Sequence, residues 1–295
     1  MADVTPTTLL EEDRLNMRNW PRINPLAGAG MVVLLTIALV AIFSPLVAPY
    51  DPGMPDLRAR LSPPAWTAEG SWAHILGTDH LGRDILSRLI FGSRIALTVG
   101  FGGVCIAGTI GVFVGLVSGY FGGKTDAFLM AVVNTLLAIP NILLYLTVLA
   151  VFSQSIILLI VVIGCINWTA FARVVRSEVM SLRSRAFIEN STIIGQRVPV
   201  MLFRHMLPNV FGSVIVIATL NVATIIILEA ALSFLGFGVQ APTVTWGGML
   251  ADGRDYVATA WWLACFPGVT ITLLTLSLIF IGDWLRDVLD PRSNG

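Results

Sequence analysis

Long apolar runs separated by short polar segments dominate the chain. A helix needs about 20 mostly apolar residues to cross the hydrocarbon core of a bilayer. Three stretches without Asp, Glu, Lys or Arg hold one such helix each: Ile23 to Tyr50, Ile95 to Gly123 and Tyr256 to Gly282. Since the first run is too long for the core of a signal peptide, we expect it to be kept as a span and the mature chain to begin near Met1.

Two further regions complete the set of spans. Ala127 to Ala172 is long enough for two helices, and the polar turn at Ser153 to Ser155 divides it. His205 to Leu228, extended past Glu229 to about Phe237, holds one more. The pattern therefore predicts an all-α polytopic membrane protein with six transmembrane helices.

The distribution of Lys and Arg predicts the orientation. With six spans both termini lie on one side, and the segments on that side carry 12 of the 18 basic residues. Because cytoplasmic loops are enriched in Lys and Arg, we expect cytoplasmic termini and a cytoplasmic segment from Arg173 to Arg204. Pro49 to Ser93 then lies outside. Trp261 and Trp262, which precede the last span, fit an outer interfacial belt.

One stretch of the outer segment, Gly82 to Ser93, has amphipathic spacing. Its apolar residues share one helical face, and Asp84 and Arg88 lie four residues apart on the other. We expect this helix to lie along the membrane surface before the second span.

Composition supports the membrane class and weakens other functions. Hydrophobic residues make up 56% of the chain, charged residues 12%, and the net charge is zero, which disfavours a nucleic-acid partner. The three cysteines sit in apolar runs and are expected to be small buried hydrophobes: Cys105, Cys165 and Cys265. The three histidines are scattered, so we expect no metal site: His74, His80 and His205.

Two glycine patterns need separate interpretations. Gly122-Gly123-Lys124-Thr125 is similar to the end of a phosphate-binding P-loop, but Ser118 replaces the required glycine and an apolar run replaces the strand. We therefore predict a tight turn there. In the second span, Gly111, Gly115 and Gly119 predict close packing against another helix, of this chain or of a partner.

Glu229 is an acidic residue inside an otherwise apolar span. An ionisable group in the membrane is a functional candidate by default, so Glu229 is a possible pathway or gate residue. Twenty residues of helix from Asn209 would also bring it near the outer interface, where it could simply reach water.

The inner segment from Glu189 to Pro208 alternates apolar and polar residues, with Gly195 between. This pattern predicts a short exposed helix followed by a turn. From the residues alone, the segment is either an ordinary solvated loop helix or a docking surface for an energy-supplying partner.

The spacing resembles the "EAA" loop of importer permeases of the ATP-binding-cassette superfamily, E-A-A-x3-G-x9-I-x-L-P. Four residues are in register: Glu189, Gly195, Leu207 and Pro208. Three positions depart from the pattern: Asn190 and Ser191 replace the alanines, and His205 replaces the isoleucine. The triplet Glu229-Ala230-Ala231 is not the counterpart, because its glycine spacing differs and it lies within a span.

The resemblance extends to the second permease subunit of dipeptide and oligopeptide importers, from about Asn24 to Arg292. The similar segments are Asn24 to Leu26, Ala48 to Pro52, Leu76 to Arg88, Gly119 to Gly123, Leu232 to Gly236, Trp246 to Leu250 and Gly282 to Pro291.

This resemblance implies a type I importer permease fold with a cytoplasmic coupling helix, in a bacterial cytoplasmic (inner) membrane. It implies a heterodimer with a homologous permease, two cytoplasmic ATPases that bind MgATP, and an external solute-binding protein. This chain would carry no catalytic residue and no cofactor. The implied organisation is a cytoplasmic segment 1–22, a first span 23–50, an outer segment 51–93, a five-span core 94–285 with coupling loop 173–208, and a tail 286–295.

The resemblance also assigns roles in coupling. Glu189 would pair with or cap a partner group, Gly195 would allow the turn and Pro208 would start span five, while Asn190 and Ser191 make the docking face more polar. The implied substrate is a di- or oligopeptide, and the same architecture could carry glutathione or a nickel chelate. An intramembrane enzyme, which needs a nucleophile with a base or a metal, and a secondary transporter with inverted repeats are the alternatives from other classes.

Overall fold

The computed structural model describes residues 24–152 and 154–289, except for the side chains of Glu189 and Thr192. The α-helices in these residues are α1 Pro25–Ile42, α2 Ser44–Val47, α3 Ile85–Phe121, α4 Gly123–Ala138, α5 Asn141–Val151, α6 Ile156–Arg183, α7 Ala186–Ile193, α8 Val198–Val200, α9 Leu207–Phe234, α10 Trp246–Gly253 and α11 Trp262–Leu289. A π-helix, Met201–Met206, joins α8 to α9, and short 3-10 helices occupy Leu57–Ala59 and Arg254–Tyr256.

Five helical stretches are long and apolar enough to cross a membrane: α1, α3, α6, the continuous run Val198–Phe234, and α11. The pair α4 and α5 is also long and apolar enough when the two helices are taken together, but they meet at an angle of 81°, as in a broken span or a re-entrant loop. Pro140 explains the bend, because a proline disfavours helical backbone at the preceding residue, and Ile139 is extended. The all-α membrane fold is confirmed, and the number of spans equals the predicted six when α4 and α5 are counted as one broken span.

The parallel pair α3 and α6 forms the centre of the bundle, since Gly103, Gly111 and Gly119 meet Ile163, Trp168 and Val179 in the same order along the two helices. A Cβ added at Gly111 would lie 2.4 Å from the Trp168 carbonyl oxygen, and one at Gly115 would lie 2.7 Å from the Val175 Cβ. Gly119 approaches Val179 equally closely. The glycine stripe therefore packs against a helix of the same chain, which is one of the two predicted alternatives.

The expected surface helix at Gly82 to Ser93 is wrong. Asp84 caps the start of α3 by accepting the Ser87 N–H at 2.8 Å, and the helix runs without a break into the second span. Ile85, Leu89 and Ile90 are buried in the protein. Their apolar face meets other helices of this chain, which periodicity alone cannot distinguish from a face that meets lipid.

Two smaller expectations are also wrong. The three cysteines are exposed on the surface of the described chain, so they do not fill its core. Trp262 is buried, and its indole N–H donates to the Thr78 carbonyl at 3.1 Å, whereas Trp261 is exposed. Trp262 therefore binds the segment before α3 and does not form an interfacial belt.

Candidate functional site

The segment of residues 186–208, here called the coupling segment, lies at the end of the bundle where α3 and α6 end. One side of α7 is anchored by Ile188, which is buried in an apolar cluster with Leu116, Val179 and Met201. The tip of α7 is free of such packing, because Ile193 and the following Ile194 are each 82% exposed. A short helix is thus fixed to the bundle on one side and presents apolar side chains on another.

Gly195 ends α7 in a left-handed conformation with φ of +77°. The Gln196 N–H donates to the Ser191 carbonyl at 3.2 Å, which is the bond that closes a Schellman motif. No atom lies within 4 Å of a Cβ added at Gly195, so the glycine is needed for its backbone conformation and not for space.

The residues that replace the family's two alanines do not disturb α7. Asn190 is exposed, and the Ser191 hydroxyl donates to the Phe187 carbonyl at 2.8 Å within the same helix. The backbone of Glu189 belongs to α7, but its side chain lies outside the part of the chain that the structure describes. The predicted contact of Glu189 with a partner group therefore stays a prediction.

The coupling segment joins the next span through the π-helix. The Leu207 N–H donates to the Leu202 carbonyl, five residues back, and Pro208 follows as the second residue of α9. A π turn is compatible with Pro208, because proline lacks an N–H and its ring clashes with the carbonyl four residues earlier. His205 lies in the π-helix, where its carbonyl accepts from the Asn209 amide at 2.6 Å.

Positive charge that is unpaired among the described residues is found in the coupling segment and in the residues just before it. Four arginines at this end are exposed and make no ion pair with other described residues: Arg183, Arg185, Arg197 and Arg204. An acidic surface on a partner would complement them.

The opposite end of the bundle carries a folded polar region, residues 48–84 and 235–261, here called the cap. At its centre the buried Asp79 accepts from Arg83 Nε at 2.6 Å and from Arg88. Both arginines also donate to Asp252 of α10, at 3.2 and 3.1 Å. Burial raises the pKa of Asp79, but the charges of Arg88 and Arg83 and two backbone N–H donors outweigh it and hold the pKa below its ordinary value.

Further bonds attach the cap to the spans. His74 Nδ1 lies 3.0 Å from Asp84 Oδ1, at the start of α3. The indole N–H of Trp246 donates to the Leu89 carbonyl at 2.9 Å. Sequence reasoning missed this network, because Asp252 is more than 160 residues from Arg88 in the chain and carries no local signal.

Asp79, His80 and Asp252 place one potential metal ligand atom each within 4.8 Å of one another. Both carboxylates are already bonded to Arg83 and Arg88. The guanidinium groups of Arg83 and Arg88, which contact both carboxylates, would repel a metal cation at the same place. The geometry therefore fits an ion-pair cluster better than a metal site.

Glu229 lies in α9 and is 1% exposed. The Ser233 hydroxyl donates to its Oε1 at 2.7 Å. The alternative in which Glu229 simply reaches water is therefore wrong for this conformation of the chain. The literal Glu229-Ala230-Ala231 triplet is also far in the sequence from the coupling segment, inside a span, as expected.

Comparisons with known proteins agree with this architecture. Residues 22–64 match the N-terminal TM domain of oligopeptide transport permease C. A di/tripeptide transport system permease protein of Pseudomonas aeruginosa is 39% identical over 90% of this chain and 88% of its own length. An oligopeptide transport system permease protein of Haemophilus influenzae is 38% identical over 91% of this chain and 85% of its own length.

A second family covers the helical core. Residues 111–295 match the binding-protein-dependent transport system inner membrane component, a range that contains the bent span, the coupling segment and the last two spans. The chain belongs to this family of inner membrane transport permeases.

Proposed function

We propose that this chain is the permease subunit of an ATP-binding-cassette importer that moves di- or oligopeptides across the cytoplasmic membrane. The observation that carries the proposal is the coupling segment: a short helix held by the bundle through Ile188, with an apolar tip at Ile193 and Ile194 left uncovered. Relatives that are 38–39% identical to this chain over about nine tenths of its length are named for peptide transport.

In this proposal the energy comes from other subunits. Two cytoplasmic ATPases hydrolyse MgATP, a homologous permease completes the pore, and an extracytoplasmic solute-binding protein delivers the peptide. Both termini and the coupling segment face the cytoplasm, and the cap faces outward. The chain itself carries no catalytic residue and binds no cofactor.

The coupling segment would work as a lever. The buried cluster around Ile188 and Met201 connects α7 to the ends of α3 and α6 and to the helix that continues into α9. Close-packed interfaces move as rigid bodies rather than deform continuously, so closure of the ATPases on α7 would tilt these spans together. The residues assigned to coupling are Glu189, Asn190, Ser191, Gly195, His205, Leu207 and Pro208.

The test replaces the exposed tip with charge. Ile193→Asp combined with Ile194→Asp should weaken co-purification of the ATPases and peptide-stimulated ATP hydrolysis by about tenfold or more, because apolar contacts at the centre of an interface carry most of its energy. Met54→Asp is the matched control, since Met54 is 73% exposed on the cap. Normal coupling in the double variant, or an equal loss in the control, would contradict the proposal.

We also propose that Glu229 acts as a gate residue. Its carboxylate is enclosed in the described conformation, so it would meet water or substrate only after the spans move. Glu229→Gln keeps an acceptor for the Ser233 hydroxyl and removes the ionisable carboxyl group. Peptide uptake into proteoliposomes should fall while expression stays normal, and Ser233→Ala is the control for loss of the hydrogen bond. Wild-type uptake by Glu229→Gln would remove this role.

A further inference from the structure

A pocket of about 750 Å³ opens on the cap side of the bundle, between the segment that follows α1 and the first turns of α3. Its walls include Pro45, Tyr50, Phe91, Ile95 and Ile156. This volume is within the range of sites that hold small organic ligands, and the predominance of apolar residues is typical of such sites.

The pocket is lined by one positively charged side chain and one negatively charged side chain. Arg94 is exposed on α3 and makes no hydrogen bond or ion pair with its side chain to other described residues. An arginine is permanently charged and presents five N–H donors suited to a phosphate. The other charged residue is Asp51, whose Oδ1 accepts the Gly53 N–H at 2.8 Å. A ligand that carries both charges would complement this lining.

The ends of two spans indicate that the pocket lies near the boundary of the bilayer. Ile156 in its wall is the first residue of α6, and Pro45 lies just beyond the last residue of α1. Two spans thus end at this level, which is where lipid headgroups meet hydrocarbon. Arginine at such a depth extends its guanidinium toward phosphate while its stem covers apolar surface.

The surface beside the pocket is apolar and uncovered. Leu46 is 83% exposed and Ile157 is 75% exposed, and they flank the lining residues Pro45 and Ile156. The adjoining helix α1 is peripheral, because only 17% of its 18 residues are buried within the chain. An acyl chain could therefore lie along this surface and leave the pocket without crossing a polar barrier.

From these observations we propose that the pocket binds one phospholipid with a zwitterionic headgroup. The phosphate lies on the Arg94 guanidinium, the ammonium lies near Asp51, and an acyl chain runs past Leu46 and Ile157. The bound lipid fills the junction between the peripheral span and the core. The inference does not depend on the transported substrate.

A free peptide also carries an ammonium and a carboxylate, so the experiment must separate the two sources. The apolar surface beside the pocket favours the lipid, because a dipeptide has no long apolar tail to cover it. Competition by a peptide is therefore a direct test of the assignment.

The experiment is native mass spectrometry of the full-length chain, purified in the complex in which it is isolated and titrated with dioleoylphosphatidylethanolamine. Wild type should bind one lipid with about tenfold higher apparent affinity than Arg94→Gln does, because the substitution removes the charge-assisted hydrogen bonds to the phosphate. Arg58→Gln is the control, since Arg58 is an exposed arginine of the cap that does not line the pocket. Equal retention by Arg94→Gln would overturn the proposal, as would displacement of the lipid by dialanine.

Discussion

Charged side chains are buried and paired at one polar end of the bundle and exposed and unpaired, among the described residues, at the other. At the cap end, Asp79 of the cap and Arg88 in the first turn of α3 are 1% and 5% exposed, and each is bonded to more than one partner. In the coupling segment, the arginines are exposed and unpaired among the described residues, and Ile193 and Ile194 are uncovered.

This difference distinguishes a region whose charged groups are paired within the chain from a region whose charged and apolar groups are left without partners among the described residues. Buried charges persist only when they are paired, so the cap has satisfied its own groups. An uncovered apolar tip on a segment that carries exposed arginines is typical of a surface that binds a partner. We infer that the cap keeps its shape during transport while the coupling segment exchanges contacts.

The largest expected effect comes from breaking the cap. Asp79→Asn removes the shared acceptor and leaves Arg88 buried without its main counter-charge. Removing one partner of a buried pair costs roughly 3–5 kcal/mol, so the free energy of unfolding in mixed micelles should fall by about that amount.

Asp255→Asn is the control for this change, because Asp255 and Arg254 form an exposed pair 3.4 Å apart. Such pairs contribute about 0–1 kcal/mol. Since the folded-state pKa of Asp79 is lowered, its contribution is present at neutral pH and is lost as the pH falls through that folded value. The free energies of unfolding of wild type and Asp79→Asn should therefore converge in acid. Equal free energies at neutral pH would show that the cluster does not stabilise the fold.

A smaller loss is expected at the contact between α3 and α6, which connects the two ends. Gly111→Val places side-chain atoms where a Cβ would already lie 2.4 Å from the Trp168 carbonyl oxygen. Overpacking of this kind costs about 1–3 kcal/mol, which a thermal unfolding curve in detergent would detect. Gly268→Ala in α11 is the control, because its Cβ would meet no atom within 4 Å. An unchanged midpoint for Gly111→Val would refute the close packing.

The smallest effect is expected in the coupling segment itself. Gly195→Ala forces an alanine into φ of +77°, at a cost of about 1 kcal/mol, and should weaken ATPase binding about fivefold with little change in thermal stability. Gly123→Ala is closely matched, since Gly123 also has positive φ and open space at the same end of the bundle. A similar loss of ATPase binding in both variants would argue against a specific role for the turn at Gly195.

Much of the fold could be predicted because membrane spans leave a strong local signal. Apolar run length located the six spans, and the glycine spacing located the contact between α3 and α6. The spacing from Glu189 to Pro208 located a short helix and its glycine turn. Each of these features depends on residues that are neighbours in the sequence.

The features that were missed depend on distant contacts. The bonds of Arg83 and Arg88 to Asp252 join residues that are 169 and 164 positions apart in the chain, so no local stretch of sequence contains both partners. The face of Ile85, Leu89 and Ile90 looked suited to a membrane surface because an apolar stripe does not reveal what covers it. The bend at Pro140 followed a local rule, but span length alone conceals it.

The most direct test of the account asks whether the tip of α7 touches an ATPase. The exposed cysteines Cys105, Cys165 and Cys265 are first replaced by serine, and single cysteines are then placed by Ile194→Cys or Met54→Cys. With a short bifunctional thiol reagent and co-expressed ATPase, Ile194→Cys should give a permease–ATPase product and Met54→Cys should not. Absence of that product at Ile194, or an equal yield at Met54, would contradict the assignment of the coupling segment.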